Sequence, residues 1–174
     1  SLSWGMDQFY TDPSFNKVMI NELESVILNT AHKYNWLIRL HPVQLRGSEK
    51  GVVHEYLTKT FAHLTDSVNW TLASNLPLPI ILGQTQLHIT DFSTVVTEAA
   101  WFGIPTALLS PELQVNGMYS SYFALERKLG LAKVLPHCSS TLSSWIETHK
   151  SCCGEVRTYQ DRSNELTSFV KSIA

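Results

Sequence analysis

Two hydroxyl residues, Ser93 and Thr94, stand where a predicted strand (87–90) gives way to a predicted helix (93–103). Backbone N–H groups at a helix start attract anions, and small hydroxyls add donors without blocking access, so this junction could bind a phosphate or pyrophosphate. A plainer interpretation is that Asp91 or Ser93 only caps the helix. The residues alone leave both interpretations open.

Two further side chains could complete such a site. Glu98 lies one helical turn beyond Thr94, where a carboxylate could hold ribose hydroxyls, although an ordinary exposed helical Glu fits equally. His41 follows a predicted strand (36–40) and precedes Pro42, which would place an imidazole where it could donate to a leaving phosphate. A structural histidine satisfied by backbone groups is the alternative.

Three other residues are candidates for a contact with a ligand or with a buried partner because of their position along the chain. Ser3-Trp4-Gly5 is typical of the end of a first strand followed by a glycine turn, where Gly5 would allow a ligand to approach the backbone. Asn116 belongs to the loop after a predicted strand at 105–109. Arg39, inside strand 36–40, needs a partner for its charge, and a structural ion pair is expected.

The elements that would position these residues follow from apolar periodicity and from Gly and Pro punctuation. Strands are predicted at 36–40, 68–72, 87–90, 105–109 and 131–135, and helices at 13–33, 53–64, 93–103, 122–129, 141–150 and 155–174. This alternation predicts a Rossmann-like three-layer α/β/α fold with a parallel sheet and right-handed crossovers. In such sheets ligands bind beyond the carboxyl ends of the strands.

Size and charge restrict the function classes. The 174 residues suit one domain, and 13 basic against 15 acidic residues give no general attraction for nucleic acid. No apolar run of about 18 residues predicts a membrane span, and the three cysteines fit neither a disulfide framework nor a zinc signature. We therefore expect a cytoplasmic protein with reduced thiols, either free or peripheral at the inner membrane.

The segment Ile89-Thr90-Asp91-Phe92-Ser93-Thr94-Val95-Val96-Thr97-Glu98-Ala99-Ala100-Trp101-Phe102-Gly103-Ile104-Pro105 resembles the nucleotide-binding segment in the C-terminal half of GT-B glycosyltransferases. The resemblance implies that residues 1–174 form a single nucleotide-binding domain within a larger two-domain protein. It also implies that Ser93 and Thr94 contact the donor diphosphate and that Glu98 binds the ribose.

His41-Pro42 is similar to the His-Pro motif of bacterial sialyltransferases, capsule Kdo transferases and polyglycerol phosphate transferases. In those groups the histidine contacts the donor phosphate, and a later Ser-Ser or Ser-Thr pair assists it. The loop from Ser110 through Asn116 also resembles the one that closes over the donor, without the usual Asp-Gln pair.

The resemblance implies the donor half of a bacterial surface-polysaccharide glycosyltransferase that binds a nucleoside mono- or diphosphate sugar and works with an N-terminal half. No metal or other cofactor is expected, because the nucleotide sugar is itself the substrate. Three alternatives stay open: a sugar-nucleotide 2-epimerase, a polyol-phosphate transferase, and a domain that only binds nucleotide or scaffolds a complex.

Overall fold

The computed structural model describes residues 18–152, without the side chains of residues 47–49 and 150–152. Five short strands alternate with helices along this range. The strands are β1 (Trp36–Leu37), β2 (Val68–Asn69), β3 (His88–Thr90), β4 (Thr106–Leu108) and β5 (Ala132–Val134). The α-helices are α1 (Asn21–Thr30), α2 (Gly47–Phe61), α3 (Thr71–Asn75), α4 (Leu78–Gly83), α5 (Val95–Trp101), α6 (Ala124–Lys128) and α7 (Ser139–Cys152).

Every strand pair in this range is parallel. β1 pairs with β2, with Trp36 opposite Val68, while β3, β4 and β5 form a second sheet in that order. The predicted fold class is therefore confirmed: the chain is an α/β protein of Rossmann-like design. The predicted sheet is present as two parts, which lie on either side of a groove.

The main apolar core lies between the strands and helices α1, α2 and α7, with Ile27, Leu57 and Trp145 among its buried members. A second cluster joins Val96 of α5 to Leu108 of β4. All three residues of β4 are buried, because β4 is the central strand of its sheet. This burial explains why its sequence is apolar without alternation.

Two predicted boundaries are wrong for reasons visible in the packing. The continuous helix predicted over 13–33 is wrong, because α1 begins only at Asn21 and Val18 and Met19 lie buried in a bend. The predicted strand at 68–72 ends at Asn69, because the Asn69 side chain accepts a hydrogen bond from the Leu72 N–H at 2.8 Å and the chain turns into α3.

Two further segments differ from the prediction in their secondary structure or in which side chains they bury. Residues 76–84, for which the sequence predicted neither a strand nor a helix, contain helix α4, and the helix predicted at 122–129 is only the five residues of α6. Its apolar Leu125 and Leu129 are exposed, whereas Glu126 is buried. The predicted helix start at Asp12-Pro13 and the helix at 155–174 lie outside the described residues.

Candidate functional site

The chain beyond β1 makes a tight turn that begins at His41. Pro42 opens a 3-10 helix (Pro42–Leu45), and the His41 Nδ1 accepts a hydrogen bond from the Val43 N–H at 3.3 Å. An accepting Nδ1 places the hydrogen of the neutral ring on Nε2. His41 is partly buried, so it presents an N–H donor just past the carboxyl end of β1.

The buried side chain of Gln44 stabilises this turn. Its Oε1 accepts a hydrogen bond from the His41 backbone N–H at 2.8 Å, and its side chain is only 2% exposed. The Nε2 of the same amide is buried and has no hydrogen-bond partner within residues 18–152. An unmatched buried amide costs free energy, so Gln44 stabilises the conformation of His41 at the expense of its own second donor group.

The chain makes a second turn beyond β3, where Ser93 was interpreted either as a helix cap or as part of a phosphate site. The Ser93 hydroxyl accepts a hydrogen bond from the Val95 N–H at 3.3 Å, so it does cap helix α5. The Thr94 side chain is exposed and caps nothing. Within residues 18–152, no hydrogen bond uses the backbone N–H of Ser93 or Thr94. The turn therefore presents two backbone donors and one free hydroxyl.

Glu98 lies one turn along α5 from Thr94 and is partly buried. No residue in the described part of the chain forms an ion pair or side-chain hydrogen bond with its carboxylate. The neighbouring Thr97 behaves differently, since its hydroxyl donates to Glu126 Oε1 at 2.7 Å and ties α5 to α6. Of the two acidic residues near α5, Glu126 has a structural contact and Glu98 remains available.

The loop beyond β4 has a defined shape. Ser110 accepts from the Glu112 N–H and caps a short 3-10 helix (Pro111–Leu113). Asn116 is exposed with φ at 72°, in the left-handed region that Asn tolerates. A Cβ on Gly117 would come within 2.3 Å of the Glu112 carbonyl oxygen, so only glycine fits there.

Phe92 connects this loop to the β3 turn through an aromatic cluster that the sequence did not reveal. Its ring lies 5.0 Å from that of Tyr119, 5.3 Å from that of Tyr122 and 5.9 Å from that of Phe123. Offset aromatic pairs at these distances attract one another. The loop beyond β4 is thus packed directly beside Ser93 and Thr94.

The chain beyond β5 supplies two polar residues that sequence reasoning missed. His137 Nε2 contacts the Leu109 carbonyl oxygen in a short hydrogen bond. Hydrogen bonds from the Ser140 and Thr141 side chains and N–H groups lower the pKa of the Cys138 thiol from 9.0 to about 7. His137 follows a strand as His41 does, and that position was the available signal. Cys138 is a free thiol.

Arg39 does not form the expected ion pair with any residue of the described range. Its Nη1 donates to the carbonyl oxygens of Ala73 at 2.6 Å and Leu76 at 2.8 Å, at the end of α3. Unused carbonyls at a helix end satisfy a guanidinium as a carboxylate would, so no ligand phosphate is needed there. The other early position, Gly5, lies outside the described residues.

The topology brings His41, Ser93, Thr94 and Asn116 to strand ends, while no hydrogen bond joins His41 to Ser93 or Thr94. One groove is lined by residues just before each turn, Arg39 beyond β1 and Ile89 in β3. His41 and Asp91 each stand two residues further along the chain, and neither of them lines the groove. Much of the groove lining comes instead from residues 33–35 and 84–87, before β1 and β3.

No cluster of three or more His, Cys, Asp or Glu side chains that could hold a metal ion occurs in the described range. None of the helices described is long and apolar enough to cross a membrane. The chain matches no protein-family model, no curated protein and no solved structure.

Proposed function

We propose that the chain is the donor-binding half of a glycosyltransferase, and that it binds the phosphates of a nucleotide sugar at the ends of β1 and β3. The observation that carries the proposal is the β3 turn. There the N–H groups of Ser93 and Thr94 and the Thr94 hydroxyl have no partner among the described residues. Three donors within two residues suit a phosphate group.

His41 supports the proposal from the turn beyond β1. Its hydrogen-bonded Nδ1 leaves Nε2–H as a donor, which could stabilise charge on a leaving phosphate. Glu98 has no protein partner in the described range and would take the ribose hydroxyls. α5 is two residues shorter at its start than predicted, so the donors of the turn matter more here than the helix dipole.

In the complete reaction the sugar moves to an acceptor hydroxyl, and the general base and acceptor site belong to an N-terminal half. Bacterial polysaccharide synthesis, a cytoplasmic location and independence from a cofactor belong to this proposal as predictions. The epimerase, polyol-phosphate transferase and non-catalytic alternatives share the same phosphate site, so product analysis of a complete enzyme would distinguish them.

Calorimetric titration of the chain with UDP, CDP, CMP, GDP and NAD tests phosphate binding. We expect one nucleotide to bind, and Thr94→Val and His41→Asn each to weaken its binding about tenfold, the usual loss for one hydrogen bond to a charged group. Asparagine can keep the cap on Val43 while removing Nε2. Glu98→Gln should weaken nucleotides but not inorganic pyrophosphate, which lacks ribose.

Thr58→Val is the matched control, because Thr58 is exposed on α2 and away from the strand ends. It should leave the affinity unchanged. A folded sample that binds none of the five nucleotides would contradict the proposal. Binding that Thr94→Val and Thr58→Val affect equally would contradict the assignment of the site.

A further inference from the structure

The short helix α6 presents its apolar side chains to solvent. Leu125 and Leu129 are exposed. Glu126 follows Leu125 in the chain, but it is buried and accepts a hydrogen bond from the Thr97 hydroxyl at 2.7 Å. The Leu129 N–H donates to the Leu125 carbonyl oxygen at 2.9 Å, so the two leucines lie one turn apart on the same side of α6. A helix that packs only against its own sheet turns its leucines inward, so this reversed pattern favours an apolar contact on the outer side of α6.

The exposed apolar surface continues beyond α6 in two directions. Before the helix, the rings of Tyr119 and Tyr122 lie 5.2 Å apart, and Met118 precedes them in the chain. Beside the helix, Trp101 stands one turn after Thr97, on the side of α5 that bonds α6. These exposed side chains together form the α6 face, which consists of Trp101, Met118, Tyr119, Tyr122, Leu125 and Leu129.

The α6 face is large for the surface of a monomeric protein. The exposed fractions of its residues range from 36% for Tyr119 to 78% for Met118. At roughly 200 Å² for each large side chain, the face exposes on the order of 700 Å². Contiguous apolar patches on monomers usually cover only about 300–600 Å², whereas each partner buries about 800 Å² in an interface of standard size. The area of the α6 face therefore suits one half of a protein interface.

The α6 face extends away from the strand ends at which phosphate binding is proposed. α5 and α6 each lead from the carboxyl end of one parallel strand to the start of the next, so both run toward the amino edge of the sheet. Trp101 and Leu129 lie at the ends of these helices, shortly before β4 and β5 begin. A nucleotide, or a second domain that closes over it, would contact the opposite edge and leave both side chains exposed.

The charges at the two ends of the α6 face are opposite in sign. Lys128 is exposed in the last turn of α6, three residues after Leu125. Glu112 is exposed at the other end, where its Oε2 accepts a hydrogen bond from the Met118 N–H at 3.2 Å. In a symmetric dimer each contact occurs twice with the roles exchanged, so a surface with charges of one sign would repel its own copy. Opposite charges at the two ends make the α6 face complementary to itself.

We propose that the α6 face binds the same face of a second copy of the chain, with the two α6 helices antiparallel about a twofold axis. The axis passes between Leu125 and Leu129, so that Leu125 of one copy packs against Leu129 of the other. Lys128 of each copy then lies opposite Glu112 of the other. The Tyr and Trp members of the face supply the large rings that carry most of the binding energy in such interfaces.

Sedimentation equilibrium of the full chain without nucleotide tests the proposal separately from the phosphate site. We expect a dimer with a dissociation constant of about 1 µM or tighter, as interfaces of this size have. Leu125→Glu places one buried charge from each copy in the interface, so it should weaken dimerisation at least about a hundredfold. Leu72→Glu is the matched control, because Leu72 is exposed on α3, which follows a strand of the other sheet, and it should leave the dimer unchanged.

An exchange of the two charges tests the antiparallel arrangement. Lys128→Glu and Glu112→Lys should each weaken dimerisation about tenfold, because each change creates two contacts between like charges. The double variant restores both pairs and should return the affinity to within about threefold of that of the parent chain. Local damage by either substitution cannot produce this rescue, since the double variant contains both.

Three results would overturn the proposal. The parent chain could remain monomeric at about 100 µM, a concentration at which even a weak interface of this size would be occupied. That measurement depends on no variant, and it would assign the α6 face to another segment of the chain or to a different protein. Leu125→Glu and Leu72→Glu could weaken dimerisation equally. The double charge variant could also fail to regain affinity, which would exclude the antiparallel pairing of α6.

Discussion

The turns beyond β1 and β3 resemble each other in sequence, since in each a polar residue follows a mostly apolar run, but they are stabilised differently. In the β1 turn the side chain and backbone of His41 are both held in place, because Gln44 accepts from the His41 N–H and the Val43 N–H donates to His41 Nδ1. In the β3 turn Ser93 uses its hydroxyl on its own helix, and Thr94 is left exposed.

The proposed phosphate site would give each turn two tasks, holding the local structure and binding the ligand. At the β1 turn the two tasks fall on different atoms of one side chain, Nδ1 and Nε2 of His41. At the β3 turn they fall on neighbouring residues, Ser93 and Thr94. At the β3 turn, substitutions of different residues should therefore separate effects on stability from effects on binding. At the β1 turn, only the choice of substitution for His41 can separate them.

The largest effect is expected at Gln44. Gln44→Ala leaves a cavity and deprives the His41 N–H of its acceptor, so the free energy of unfolding should fall by about 3 kcal/mol. Gln44→Met keeps the volume and removes the unmatched amide, and should cost only about 1 kcal/mol. Urea denaturation measures both, and equal losses would show that the hydrogen bond is not what holds the turn.

At the β3 turn the two hydroxyls should separate. Ser93→Ala removes the cap on Val95 and should lower the free energy of unfolding by about 1 kcal/mol. Thr94→Ala touches no described partner and should change it by less than about 0.5 kcal/mol. Thermal denaturation at one pH compares them, and a larger loss for Thr94→Ala would reverse the assigned roles.

The smallest effect on stability is expected beyond β5, a third strand end. With Cys152 and Cys153 replaced by Ser, alkylation of Cys138 should reach half its maximal rate near pH 7, because hydrogen bonds lower the thiol pKa to that value. Ser140→Ala removes the largest cause and should move the midpoint to higher pH with little change in stability. A midpoint near pH 9 in the parent chain would contradict the hydrogen-bonded geometry.

How far the sequence predicts this fold depends on which interactions decide each element. β3 and β4 lie within their predicted ranges, because buried parallel strands leave apolar runs. The face of α6 could not be predicted, since the Thr97 hydroxyl holds Glu126 inside while Leu125 is left outside. That contact crosses from another helix, and no local pattern encodes it.

The candidate site likewise contains residues that the sequence predicts and residues that it does not. The position of His41 after a strand was predictable from the apolar run and Pro42. The buried role of Gln44 was not, because a polar residue next to a turn gives no sign of burial. His137 could have been found by the rule that selected His41, since it too follows a predicted strand.

The parallel pairing of every described strand also has a consequence for how the chain folds. Parallel neighbours cannot be joined by a tight hairpin, so Trp36 and Val68 pair across a long crossover that contains α2. Contacts between residues so distant in sequence slow folding relative to a helical bundle of the same size. During synthesis the ribosome releases β1 well before β2, so β1 cannot pair with β2 in the nascent chain until β2 has emerged.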